Sequence, residues 1–201
     1  MKTRTFAHTL LALAAVATAQ GRGFAPSHPA SPAADRIQAA VCIDYDREAR
    51  LVQTAQPVAT RLLAATDVTL RWYTGFKSCP ANALRISMQE HSSPSEHPRG
   101  LRLCRALRQS GESSTIRAFL DRVLASQPGG PESGNALPAL LGHVLAHEIA
   151  HMLEGVVRHS DTGLMRAHWM AEDNRRMRTA PRAWDPTDIE MIHTGLVARL
   201  P

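Results

Sequence analysis

Apolar residues recur along this chain first with a period of two and then with a helical period. Between Ile37 and Tyr45, the residues Ile37, Ala39, Val41, Ile43 and Tyr45 alternate with more polar neighbours, which predicts a strand. From Arg47 to Ala65 there is no glycine, and Leu51, Ala55, Val58, Leu62 and Leu63 fall at helical spacing, so a helix is expected there despite Pro57. Alternation returns over Asp67 to Tyr73 through Val68, Leu70 and Trp72, and over Ala83 to Met88 through Leu84, Ile86 and Met88; these are two further strands. Gln89 to Gly100 is rich in Ser, Pro and His and reads as a loop. Leu101 to Leu107 fits no single period, whereas Thr115 to Val123 has the β-branched and aromatic content of a strand. Ser126 to Asn135, SQPGGPESGN, breaks the pattern, and a strongly apolar helix capped by Asn135 should follow. After a loop-rich stretch, a last helix is expected near Pro186 to Arg199, with Asp185 as its N-cap and Pro186 at its first position. This order predicts an α+β fold, a small mixed sheet with helices packed on it.

Composition narrows the class. The chain has 201 residues, 44% hydrophobic and 20% charged, enough for one domain with a sizeable core and too short for two of full size. Aromatic residues make up only 4%, which disfavours a stacking platform for single-stranded nucleic acid. No uninterrupted apolar run reaches the eighteen or so residues of a membrane span. The formal charge is +5, but part of it lies in the first residues, and the arginines are scattered with no dense basic run or reading motif, so no nucleic-acid partner is expected.

Those first residues, MKTRTFAHTLLALAAVATA, carry two early cations, a short apolar stretch from Leu10 to Val16, and Ala17 and Ala19 in the spacing that signal peptidase reads. Cleavage after Ala19 and a secreted or periplasmic location in a bacterium are the expectation. Residues 20–35 then form a flexible Gly, Pro, Ser and Ala-rich segment, and the folded domain spans 36–201. Export implies a compartment where disulfides persist, and three cysteines remain: Cys42, Cys79 and Cys104. One bridge is the simplest count. Three pairings exist, with Cys79 to Cys104 favoured because each borders a loop, and Cys42 reads as a buried strand residue.

The chemistry concentrates in residues 143–153, HVLAHEIAHML, where His147, Glu148 and His151 form H-E-x-x-H. Two helical residues four apart lie about 6 Å apart along the axis on one face, so both imidazoles can converge on one ion. Zinc takes such nitrogens at about 2.0–2.1 Å, and a glutamate offset by one position can accept a proton from water that the metal has made acidic. The apolar face of Leu140, Leu141, Val144, Leu145 and Leu153 would bury this helix. A catalytic zinc usually has three protein ligands. His159, four residues beyond the helix-ending Gly155, is the preferred third; Asp161 and Glu172 are alternative oxygen donors. His143, about 12 Å of rise from His151, is too far to join them and reads as a packed or supporting histidine.

The segment HEIAHMLEGVVRHSDTGLMRAHW resembles the zinc signature of the metzincin clan, and within it short secreted bacterial proteins with HExxH, then HSxxGxM, then a tryptophan, here Trp169. It is also partly similar to archaemetzincins. The resemblance implies His147, His151 and His159 as ligands of one zinc ion, Glu148 as general base, Gly155 as the turn and Met165 as the methionine of the turn below the metal. It implies a zincin-like mixed twisted sheet with a long helix after strand 1, an active-site helix and a C-terminal helix, and an edge strand that pairs with an extended peptide. The implied activity is endopeptidase, with a peptide or protein substrate and a monomeric enzyme. The interval from His151 to His159 is eight residues where the clan has six, so the loop must bulge. A catalytically idle zinc-binding relative that holds a partner is the alternative; a pure binder has no need of Glu148.

Overall fold

The computed structural model describes residues 37–92, the main chain of 104–107, and residues 115–126 and 136–198. The expected leader, the segment 20–35, most of the 89–100 loop, and the breaker with its Asn135 cap lie outside the described residues. The element order is β1 (Ile37–Asp44), α1 (Ala49–Ala64), β2 (Val68–Thr74), β3 (Leu84–Gln89), β4 (Cys104–Leu107), β5 (Thr115–Phe119), α2 (Leu120–Ala125), α3 (Ala136–Glu154), α4 (Ala171–Arg176) and α5 (Pro186–Val197). These elements fall in one compact unit.

The fold is α+β. Its five-stranded sheet has the order β2-β1-β3-β5-β4, parallel throughout except for β4, which runs antiparallel to β5 at the edge. Register follows the alternation in the sequence. Val41 pairs with Trp72 on one side and Leu84 on the other, and Ile43 with Thr74 and Ile86, so Ala39, Val41, Ile43, Leu70, Ile86, Ile116 and Ala118 join one apolar core. A slip of one residue would turn that whole set away from the helices. α1 closes the core with Leu51, Val52, Ala55, Ala59, Leu62 and Leu63. Burying each such leucine contributes about 1.5–3 kcal/mol. Exposed Pro57 is tolerated within α1 because the packed face holds the helix on both sides of it.

α3 is the central helix, packed against α1, α5 and β4. It is long and apolar enough by composition to cross a membrane, yet most of it is buried within the fold. Burial on nearly every side replaces the one-sided stripe of a surface helix. α5 approaches the end of α3 through Gly195, where an added Cβ would stand 2.1 Å from the Leu153 carbonyl oxygen. Gly195→Ala is therefore expected to push α5 away and destabilise the protein by about 1–3 kcal/mol or more, read as a lower midpoint in urea.

Three expectations need correction. The stretch Thr115–Val123 is a strand only to Phe119; alternation breaks where Phe119 and Leu120 are both buried, and Leu120 and Val123, three apart, instead bury one face of α2. A short helix, α4, stands in what read as loop, its first turn capped by the Asp173 side chain, which accepts from the Met170 N–H at 2.9 Å. The disulfide joins Cys42 to Cys79, with a Cα separation of 5.8 Å, and not Cys79 to Cys104. β2 and β3 flank β1, so the connection 75–83 must cross β1, and Cys42 faces away from the helical core toward that crossing. Asp185 caps α5 as expected, accepting the Thr187 N–H at 3.0 Å with Pro186 following.

Candidate metal centre

From Leu140 to Glu154 every residue is buried except Glu148. The acid of the H-E-x-x-H pattern is thus the one side chain of this stretch that reaches toward solvent. One turn apart on α3, His147 and His151 bring their Nε2 atoms to 3.0 Å, with ring planes at 86°. Gly155 then ends the helix with φ at 75°, a left-handed conformation that favours glycine, and its N–H bonds to the His151 carbonyl at 3.1 Å. Val156 and Val157, 43% and 79% exposed, turn outward and take up the length of the long interval. The chain folds back so that the His159 ring lies 5.4 Å from that of His147 and 4.9 Å from that of His151. One ligand-type atom from each of the three lies within 4.8 Å of the others, and the group is able to hold a metal ion. Asp161 is exposed and outside this group; Glu172 is exposed and ion-paired with Arg175 at 2.5 Å and Arg176 at 3.0 Å.

The chain is similar to an archaemetzincin from Methanopyrus kandleri. The likeness has a TM-score of 0.47 at 13% identity and covers 83% of this chain and 99% of that one. It is also similar to the GM1-bound form of the ECX AB5 holotoxin, with a TM-score of 0.42 at 12% identity over 81% of this chain and 80% of that one. At these values neither likeness bears on what the site does. No protein-family model matches the chain. No curated protein matches it either.

A hydrogen bond settles which nitrogen of His147 faces the centre. His147 donates from Nδ1 to the Leu164 carbonyl at 3.0 Å, so the Nε2 of the neutral ring keeps its lone pair. Burial pushes the His147 pKa down to about 4 and that of His151 to about 3, and neighbouring histidines lower both. Both rings are neutral near pH 7. Two imidazole nitrogens at 3.0 Å then need a shared proton or a shared cation between them, and a divalent cation also draws in the third ring. Leu164 immediately precedes Met165, which is buried in the core, and its own N–H bonds to the Ala183 carbonyl at 2.9 Å. The main chain at Leu164, held in turn by Ala183, thereby orients a histidine of the cluster, as outer partners of metal-bound imidazoles do. That partner was invisible in the sequence because a backbone carbonyl carries no residue signature.

His143 is packed and does not join the group. Nδ1 donates to the Ala139 carbonyl at 2.7 Å, Nε2 accepts the Arg182 N–H at 3.2 Å, and burial holds its pKa below the usual histidine value. Trp169 stands edge-on to both His147 and His143, with ring centroids 5.6 Å and 6.4 Å away, and so buttresses the pair.

Two buried carboxylates, Glu154 on α3 and Asp188 on α5, carry no signal in the sequence. Glu154, at the end of α3, has a fully buried side chain whose oxygens make no hydrogen bond; its nearest cation is Arg158 at 3.6 Å. Desolvation pushes its pKa up from 4.5 to about 7, opposed by Arg158 and reinforced by Asp188. The raised value means Glu154 supports the fold fully below about pH 4.5, and that contribution is lost as pH rises through 7. Glu154→Gln is expected to match the parent near pH 5 and to melt at a higher temperature than the parent at pH 8, a comparison that thermal unfolding at the two pH values makes directly.

Proposed function

We propose that the chain is a zinc-dependent metalloendopeptidase. The observation that carries this is a three-imidazole cluster within 4.8 Å, two of whose rings come from one turn of a buried helix, with the partly exposed Glu148 between them. The donor set suits the ion: neutral imidazole nitrogens, one already oriented by a carbonyl, are borderline ligands of the kind zinc takes. His147, His151 and His159 hold it. Bound there, zinc would polarise a water and the scissile carbonyl.

Glu148 does the proton work. Its carboxylate takes a proton as water attacks and returns it to the departing amine, which requires a base with access to the substrate side; its partial exposure in an otherwise buried stretch supports that role. Residues 149–154 are buried, so the helix behind Glu148 excludes water from its far side. β4, the antiparallel edge strand that packs against α3, is the strand we assign to pair with an extended peptide. The Cys42 to Cys79 bridge supports a secreted or periplasmic setting with the leader cleaved after Ala19. We take the enzyme to act as a monomer on peptide or protein substrates.

The test is metal content of the purified protein together with cleavage of a peptide library before and after chelation. One zinc per chain, cleavage abolished by chelator and restored by zinc is the expected result. Zinc bound with no cleavage of any peptide would favour the idle binding relative, and absence of bound zinc would overturn the reading.

A further inference from the structure

Of the three clustered histidines, His159 is the exposed one, and it lies on irregular chain between α3 and the methionine turn. A ligand so placed needs an anchor other than its own packing. The structure supplies one on both sides. Arg158 Nη2 bonds to Asp188 Oδ1 at 2.6 Å, and Ser160 Oγ donates to the same oxygen at 2.5 Å. Arg158 Nη1 also donates to Ser160 Oγ at 3.1 Å, closing a triangle around the ligand's two neighbours. The other oxygen of Asp188 accepts the Asp185 N–H at 3.3 Å, which fastens the carboxylate to the start of α5, and the Asp188 side chain is fully buried. At its far edge Arg158 reaches Glu154 on the last turn of α3, and the Ser160 N–H bonds to the Met165 carbonyl at 2.9 Å. His159 is therefore suspended between two residues that share one buried carboxylate on a different helix.

We infer that Asp188 is a positioning residue for the third metal ligand: by gripping Arg158 and Ser160 at once it holds the His159 imidazole toward His147 and His151. This rests on the metal reading of the cluster. It also accounts for an eight-residue interval working where the clan has six, because an outward bulge at Val156 and Val157 is harmless when the chain is clamped on both sides of the ligand. Asp188 acts through His159 and touches neither metal nor substrate.

Zinc affinity, measured by competition with a chromophoric chelator on protein verified as folded by circular dichroism, tests this in Asp188→Asn, Ser160→Ala, His159→Ala and the two double variants with His159→Ala. Asp188→Asn removes the charge at constant shape; Ser160→Ala removes one anchor without touching the buried charge, and serves if Asp188→Asn does not fold. Each is expected to weaken zinc about 10–100-fold, the usual loss for an outer partner of a metal ligand. In the His159→Ala background the same changes should cause no further loss, because their effect passes through that ring. The visible absorption of the cobalt(II)-substituted Ser160→Ala protein should also shift from the parent's, which a loss of stability alone would not produce. Parent-level zinc affinity in both single variants, or an equal loss with and without His159, overturns the inference while leaving the metal reading intact. Parent-level affinity in His159→Ala overturns the third-ligand assignment and the inference with it.

Discussion

The Glu148→Ala protein is expected to fold, to bind zinc as the parent does, and to lose peptide cleavage by about 10²–10⁴-fold, the usual contribution of a general base. Folding should survive because Glu148 is the one residue between Leu140 and Glu154 that is not buried, so its truncation opens no cavity in the core. Metal should be retained because the cluster consists of three histidines, each with its atom within 4.8 Å of the others, and the glutamate is no part of it. The loss should appear in kcat with little change in KM, since the carboxylate acts on the proton in transit and not on the resting substrate. Steady-state kinetics on a fluorogenic peptide, with zinc content measured on the same sample, separates the two effects. Parent-level turnover in Glu148→Ala would remove the base from the mechanism.

His151→Ala carries the second large expectation, loss of zinc by on the order of 10³-fold or more, beyond the ~10–100-fold associated with an outer partner. His151 Nε2 stands 3.0 Å from His147 Nε2, so its removal takes away the closest of the nitrogens and leaves a pair whose rings are 5.4 Å apart. The ring is also 6% exposed, and its deletion leaves space in the core that costs stability in addition. Zinc dissociation constants and thermal unfolding of the metal-free proteins distinguish these contributions: only the second persists without metal. Unchanged zinc affinity in His151→Ala would place the ion elsewhere.

Most elements were readable because local period and burial agree. β2 and β3 bury alternate residues, β1 departs from that only at the bridged Cys42, buried between Val41 and Ile43, and α1 buries Leu51, Ala55, Leu62 and Leu63 on one face, so hydrophobic spacing alone marks them. Asp185 and Pro186 announced the start of α5 through local chemistry. α2 and α4 were missed because six residues hold too little pattern to outweigh composition. Asp188 was hidden for a different reason: it stands three residues after the cap, where an acid reads as an ordinary capping partner, and its second role exists only where the 158–160 loop meets α5.

By itself, the sequence determined that two histidines and a glutamate share one helical turn, that Gly155 ends that helix, and that the sheet presents one face to the helices, since each depends on neighbours a few positions away. Tertiary structure decided what joins them: which donor comes to the pair, which cysteine meets Cys42, and which carboxylate holds the His159 loop. Those outcomes depend on strand order, loop path and helix docking, which bring Cys42 to Cys79 across a separation of 37 and Ser160 to Asp188 across 28, and no local period encodes such distances.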